Sequence, residues 1–271
     1  MDRDNEIRGN VIDISRGANR TKIVNNYAGK FAKDSSRKLN LPNSRLPEGS
    51  SRSPLSRNME VRFMEKRDIE GVTNVLDSVY PELMEPGFEE DRWMPCHFEK
   101  SLEKFPQGHI VVLKDEKVIG FSLSFIIDEE RLKTDNTEED TEGEGFLDTH
   151  DPENGNVLYI SEVTIKPEYQ RQGLGKKLVR AQQKLSKEIG LKGCVGTSLL
   201  PGYDKYPEEY SVYDYVDLRR SDGRLENKNL RFYEDCGLTW GTDDVMKDYV
   251  ADPNSRGYAV RMKWYSRDDS K

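Results

Sequence analysis

Apolar residues along the chain fall into short periodic blocks, broken by two long polar stretches. Val61–Met64 reads as a strand, and over Asp68–Val79 the residues Ile69, Val72, Val75, Leu76 and Val79 recur at helical spacing behind Asp68, a candidate N-cap. Glu89–Phe105 carries a weaker helical pattern. His109–Leu113 and Lys117–Ile127 read as the strands of a hairpin turned across Lys114–Lys117. Val157–Ile165 is an apolar strand, and Gly173–Ile189 sets Leu174, Leu178, Ala181, Leu185 and Ile189 on one helical face. Lys192–Leu199 is a further strand. Pro207–Arg219 and Glu226–Cys236 read as helices, the second closed by Gly237, and Gly257–Tyr265 is a last strand. This order predicts an α/β fold built on one mixed sheet.

The two polar stretches have opposite charge. Residues 1–58 carry 12 Lys+Arg against 6 Asp+Glu, and include the text LPNSRLPEGSSRSPLSRN. No period persists there beyond Val11–Ile14, so residues 1–57 are expected to be a basic, mostly disordered extension before a folded domain at 58–271. Such a tail is either simply solvated or a tether to an anionic partner such as nucleic acid or an acidic protein. Residues 128–156 carry 12 acidic and two basic residues and are expected to be a long acidic loop inserted between strands, with Phe146 and Leu147 packing its last part on the body. No apolar run approaches the roughly 18–20 residues that span a bilayer, and the charged N-terminus lacks the apolar core of a secretory signal. Cys96, Cys194 and Cys236 form no C-x-x-C pair, and Cys96-His97 has no second ligand pair, so neither a disulfide framework nor a metal site is expected. The expectation is a soluble, cytoplasmic protein.

The segment that carries chemistry is residues 157–185, VLYISEVTIKPEYQRQGLGKKLVRAQQKL. Pro167 has no N–H to donate and ends the strand. Gly173 and Gly175 then flank the start of an amphipathic helix, where missing Cβ atoms let backbone N–H groups approach a ligand. The helix start adds unpaired N–H groups and its dipole, and Arg171, Lys176 and Lys177 add positive charge. This is a cradle for a pyrophosphate. It is neither G-x-x-x-x-G-K-[ST] nor G-x-G-x-x-G, because Gly175 is followed by Lys-Lys-Leu. The spacing Gln170-x-x-Gly173-x-Gly175 after an apolar strand closely resembles the acetyl-CoA-binding motif of the GNAT N-acetyltransferase superfamily. ENKNLRFYEDCGL, residues 226–238, resembles that family's helix ending F-Y-x-x-x-G-F, and the likeness covers roughly residues 59–265. A narrower likeness, through THDPENGNVLYISEVTIKPEYQRQGLG, LLPGYDKY and VADPNSRGYAVRMKW, is to the GNAT domain attached to nitrilase-like amidohydrolases; no nitrilase-like segment is present in these 271 residues.

The resemblance implies a GNAT fold, a mixed central sheet with splayed parallel strands and flanking helices, and acetyl-CoA as co-substrate. It implies that the pantetheine arm runs along Val163-Thr164-Ile165. The pyrophosphate would lie at Gln170, Arg171, Gln172, Gly173, Leu174, Gly175 and Lys176, held mainly by backbone N–H groups. Acetyl transfer to an amine needs a base for the ammonium, a donor to the oxyanion and an acid for the leaving thiolate. Strand alternation puts Glu162 on the face opposite Val163 and Ile165, at a position that resembles the strand glutamate used as base in several GNAT members. A carboxylate beside a dry cleft has its pKa raised toward the working range; the ordinary alternative is a solvent-facing or salt-bridged Glu162. Tyr233 matches the tyrosine that commonly protonates the thiolate, or is a half-buried aromatic, and a backbone N–H near Val163 is the expected oxyanion donor. His150 either accepts a proton or shapes the substrate mouth, or is a turn histidine. Tyr203, Asp204 and the tyrosines and carboxylates that follow either line the acceptor side, where they suit a cationic amine, or pack a helix. The implied activity is transfer of acetyl from acetyl-CoA to a primary amine by direct attack, the acceptor being a lysine side chain, a protein N-terminus or a polyamine-like molecule. The alternative is a catalytically weak CoA-binding regulatory or adaptor protein whose basic tail binds a partner.

Overall fold

The computed structural model describes residues 59–81, 93–134, 137–143 and 147–266, so the basic N-terminal stretch, Phe146 and the start of the Glu89–Phe105 pattern lie outside the described residues. In chain order the elements are β1 Met59–Phe63, α1 Ile69–Val79, α2 Pro95–Lys104, β2 Ile110–Lys114, β3 Lys117–Ile127, α3 Glu138–Glu142, β4 Val157–Ile165, α4 Leu174–Glu188, β5 Gly193–Leu199, α5 Val212–Val216, α6 Lys228–Glu234, β6 Val245–Met246 and β7 Ala259–Tyr265. The seven strands form one sheet in the order β1-β2-β3-β4-β5-β7-β6. Only β4 and β5 pair in parallel.

β3 is buried along all but its first residue, because both faces of the sheet are covered there. On one face Ile69, Val72 and Val75 of α1 and Phe98 of α2 pack on Phe121 and Leu123. On the other, Leu174 and Leu178 of α4 pack on Ile110 and Ile165. Gln182 of α4, fully buried, pins that helix to the sheet: its amide donates to Ser122 Oγ at 2.9 Å and Gly108 O at 3.0 Å, and accepts from Ser124 Oγ at 2.8 Å. A buried amide with its bonds satisfied fixes one helix position where an apolar contact would allow sliding.

Two irregularities of β4 shape the site. Across the β3–β4 ladder Leu123 pairs with Glu162 and Ser124 with Ile160, so Ser161 is the extra residue of a β-bulge. β4 also pairs with β5 only over Leu158–Ile160; from Ser161 onward the two parallel strands part, and β5 continues with β7 alone. A crevice thus opens beyond the carboxyl end of the parallel pair, the place where open α/β sheets take ligands.

The structure departs from the sequence pattern in four places. Only Val212–Val216 of Pro207–Arg219 is helical, because Tyr210 N closes a turn onto Pro207 O at 3.0 Å and Ser211 starts the helix late by accepting from Tyr213 N. Asp68 precedes α1 but makes no side-chain cap; its carboxylate instead receives two hydrogen bonds from Arg62, at 2.6 and 2.8 Å. The acidic stretch contains α3, capped by Thr137, with Thr141 and Leu147 buried. β6, two residues long, is too short to show a period. No described helix is long and apolar enough to cross a membrane.

Candidate active site

Beyond Ile165 the chain turns, and Gln170 closes the turn by donating to the Ile165 carbonyl at 3.0 Å. Arg171 and Gly173 have φ of 59° and 78°. Left-handed residues set into a turn aim successive N–H groups into a shared concavity, an anion-binding nest. Gly173 is also the N-cap of the 15-residue α4, and no side chain caps that end. The N–H groups of Leu174, Gly175 and Lys176 are therefore among those a helix leaves without intrahelical partners, and the dipole favours an anion there. Gln170, Arg171, Gln172 and Gly173 are exposed, and a Cβ at Gly173 would meet nothing within 4 Å, so the concavity is open. A Cβ at Gly175 would instead lie 3.1 Å from the Phe232 ring, so this glycine sets the close approach of α6. Lys176 lies 2.8 Å from Asp235, so its charge is matched by α6 before any ligand arrives.

The two faces of β4 look in different directions. Ile165 packs with Leu174 and Leu178 under α4, and Val163 lies at the edge of the same cluster. Glu162 and Thr164 pair across the ladder with Leu123 and Phe121, whose side chains pack under α1. Thr164 is buried and donates a hydrogen bond to Glu162 Oε1. Burial pushes the Glu162 carboxyl up to about 7; the Glu138 charge pushes the same way, against the Thr164 bond and a bond from the Val163 N–H. A carboxyl that titrates near neutrality can accept a proton at working pH and hold it.

Tyr233 reaches this region from α6, which is docked on α4 by the Phe232–Gly175 approach, the Lys176–Asp235 pair and a bond from Gln183 Nε2 to Cys236 O at 3.0 Å. Burial and then the Glu162 charge hold the Tyr233 phenol well above its usual range, so it stays protonated and able to donate. A second phenol, Tyr80 just past α1, meets the same charge: Glu162 and then burial suppress its ionisation, and it hydrogen-bonds Thr164. Sequence reasoning missed Tyr80. It follows the last periodic residue of α1, and its partners come from other elements.

Residues 72–198 match the Acetyltransferase (GNAT) family. The likeness to that family spans 127 of the 271 residues. Among curated proteins the chain is similar to the uncharacterized N-acetyltransferase YkwB of Bacillus subtilis, 27% identical over 207 residues that cover 76% of this chain and 88% of the relative. It is also similar to the probable hydrolase YhcX of Bacillus subtilis, 29% identical over 78% of this chain but only 39% of that longer protein. Among solved structures, the GphF GNAT-like decarboxylase in complex with isobutyryl-CoA shares the fold at a TM-score of 0.64 and 18% identity, over 77% of this chain and all of that one. The GNAT fold read from the sequence is the fold observed.

Elsewhere in the domain, three residues expected near the acceptor have other partners. Tyr203 is buried, its hydroxyl donates to Tyr210 O at 2.6 Å, and its ring lies 4.7 Å from the Arg256 guanidinium. The cation facing these tyrosines is thus the chain's own. Asp204 is exposed on the adjoining turn. The tyrosine cluster is tied to α6 through Asn227, which caps that helix with bonds from Asn229 N and Leu230 N at 2.9 and 3.0 Å and donates to Tyr215 Oη at 3.3 Å. His150 stacks on Phe105 at 4.9 Å and accepts from Ile126 N at 3.1 Å. Ile126 pairs with Leu158, at the far end of β4 from Thr164. Burial, then the Lys104 charge, push His150 down to about 4, so it is neutral at pH 7 and a weak base. Among the described residues no three His, Cys, Asp or Glu side chains are grouped to hold a metal ion.

Proposed function

We propose that this GNAT domain transfers the acetyl group of acetyl-CoA to a primary amine by direct attack. The observation that carries the reading is Glu162: a carboxyl titrating near neutrality on the strand that leads into an anion nest, beside the crevice where β4 and β5 part. The nest fits a pyrophosphate, because Gly173 is left-handed with open space before it and no side chain caps α4. The backbone of Val163, Thr164 and Ile165 would hold the pantetheine arm, and Gln170 through Lys176 the phosphates. The acyl-CoA complex of the GphF protein and the N-acetyltransferase name of YkwB agree with this assignment.

Bound acetyl-CoA supplies an acetyl thioester. Glu162, ionised, accepts a proton from the acceptor's ammonium, and the neutral amine attacks the thioester carbonyl. Once protonated, Glu162 gives up the Val163 N–H, which then donates to the developing oxyanion. As the C–S bond breaks, Tyr233 donates its phenolic proton to the departing sulfur, and the proton that the attacking nitrogen loses in becoming the amide restores the phenol. No covalent enzyme intermediate is required, and the buried thiols do not compete: burial pushes Cys194 up to about 12 and Cys236 up to about 11. The acidic body, 30 Lys+Arg against 44 Asp+Glu beyond residue 58, draws a cationic acceptor such as a lysine side chain, a protein N-terminus or a polyamine.

The test is release of free CoA thiol from acetyl-CoA with spermidine, a lysine peptide and peptides with free N-termini, with the acetylated amine identified by mass spectrometry. Amine-dependent thiol release matched by acetylated product is expected. Tight acetyl-CoA binding with no amine-dependent release across the panel would favour a CoA-binding adaptor.

A further inference from the structure

Glu162 and Thr164 are next-but-one neighbours on β4, so they share a face of the strand, across the ladder from Leu123 and Phe121. Thr164 is 3% exposed, and its hydroxyl donates to Glu162 Oε1. A threonine hydroxyl carries one proton, so this bond uses its whole donor capacity. The side chain is branched at Cβ and has few rotamers. Phe121 opposite it is fully buried in the cluster under α1. The donor is therefore held in place in surroundings where water does not readily substitute for it.

We propose that Thr164 is the positioning residue of the base: its hydroxyl holds Glu162 Oε1 and favours the carboxylate over the acid, so that Glu162 meets the acceptor ready to take a proton. The inference rests on Glu162 being the base and adds what keeps that base usable. A hydroxyl donates more strongly to a charged carboxylate than to a neutral acid, so the bond stabilises the ionised form. The titratable groups that act on Glu162 or feel its charge are Glu138 and Glu142 of α3, Tyr80 beyond α1 and Tyr233 of α6. None of these is a cation. Burial and the Glu138 charge favour the acid; the Thr164 hydroxyl and the Val163 N–H oppose them, and the balance stands at about 7. A neutral donor suits this task better than a cation. A cation beside Glu162 would also keep it ionised, but it would weaken the base and repel an ammonium acceptor.

The experiment compares Thr164→Val, which keeps the branched shape and removes the donor, with Thr164→Ser, which keeps the donor. The first readout is a pH titration of the full chain labelled with 13C at the glutamate carboxyls, with Glu162→Gln assigning the signal. The Glu162 step, near 7 in the unaltered protein, should rise by about one unit or more in Thr164→Val and stay close to its place in Thr164→Ser. A step that is unmoved or lowered in Thr164→Val, or raised equally in both variants, would overturn the proposal. This reading needs no turnover, so a protein whose Glu162 step moves in this way but which acetylates no amine would sink the proposed activity and leave the hold of Thr164 on Glu162 standing. With an amine that is turned over, kcat of Thr164→Val should fall about fivefold at neutral pH and return toward the unaltered rate at alkaline pH, with acetyl-CoA affinity unchanged. A loss equal at every pH would mark a disturbed strand and contradict the proposal. Added to Glu162→Gln, Thr164→Val should change the residual rate little; a loss as large as the one seen with Glu162 in place would show that Thr164 acts by another route.

Discussion

The face of β4 toward α4 and the face toward α1 are built by different means. Toward α4 the working parts are backbone: the open edge of Val163–Ile165, two left-handed residues at Arg171 and Gly173, and the uncapped start of α4. Toward α1 the proposed working parts are side chains from three elements: Glu162 and Thr164 of β4, Tyr80 beyond α1 and Tyr233 of α6. Backbone donors keep their charge pattern at any pH. The side chains depend on burial and on one another, and burial is what moves Glu162 to about 7. One face can therefore hold a cofactor indifferently to its side chains, while the other can be changed by a single atom.

Single substitutions should separate the faces. The largest effect is expected for Glu162→Gln, which keeps size and strand geometry and removes the base: kcat falls about a hundred- to ten-thousandfold, while acetyl-CoA affinity measured by calorimetry is nearly unchanged. A comparable loss of affinity would show that the two faces are not independent. Gly175→Asp should do the reverse, driving a Cβ against Phe232 and a carboxylate into the helix start. The acetyl-CoA-induced rise in stability, about 2.7 kcal/mol at a hundred times the dissociation constant, should vanish from its thermal melts; an unchanged shift places the phosphates elsewhere. Tyr233→Phe should lower kcat on the order of a hundredfold or less without weakening acetyl-CoA. Should Tyr80→Phe prove the more damaging of the two, the proton for sulfur comes from α1's end.

The smallest effect on turnover is expected for His150→Gln, which should leave the pH dependence of kcat in place because His150 is pushed to about 4. Its contribution is to stability. Burial also pushes fully buried His109 down to about 4. A histidine whose folded pKa lies below its unfolded value near 6.5 leaves the unfolded state binding more protons, so stability is complete above about 6.5 and is lost as pH falls toward 4. His109 alone should account for about 3 kcal/mol of that loss. Urea melts from neutral to acid pH measure it, and a flat stability across that window would contradict the assignment.

The same contrast explains what the sequence showed in advance. A nest and a helix start need glycines at fixed spacing within one short string, so Gln170 through Lys176 could be read directly. Glu162 could be read because it shares that string's strand and strand alternation gives its face. Tyr80 could not: it lies past a helix whose own pattern is complete without it, and its partners Thr164 and Glu162 come from β4, far along the chain. Tyr203 and Asp204 looked like an acceptor wall because tyrosines beside carboxylates suit a cation. The ring stack already has Arg256, a residue far along the chain that no local pattern ties to it.

The account stands on Glu162 as a half-buried base, and the pH dependence of kcat with saturating acetyl-CoA and amine tests it most directly. A carboxyl raised to about 7 must be ionised to accept a proton, so kcat should climb through a midpoint near 7 and level off at higher pH. In Glu162→Gln that limb should disappear, with the residual rate recovering at alkaline pH as the amine loses its proton unaided. A kcat that is flat from about pH 6 to about pH 8, or the same limb persisting in Glu162→Gln, would contradict it.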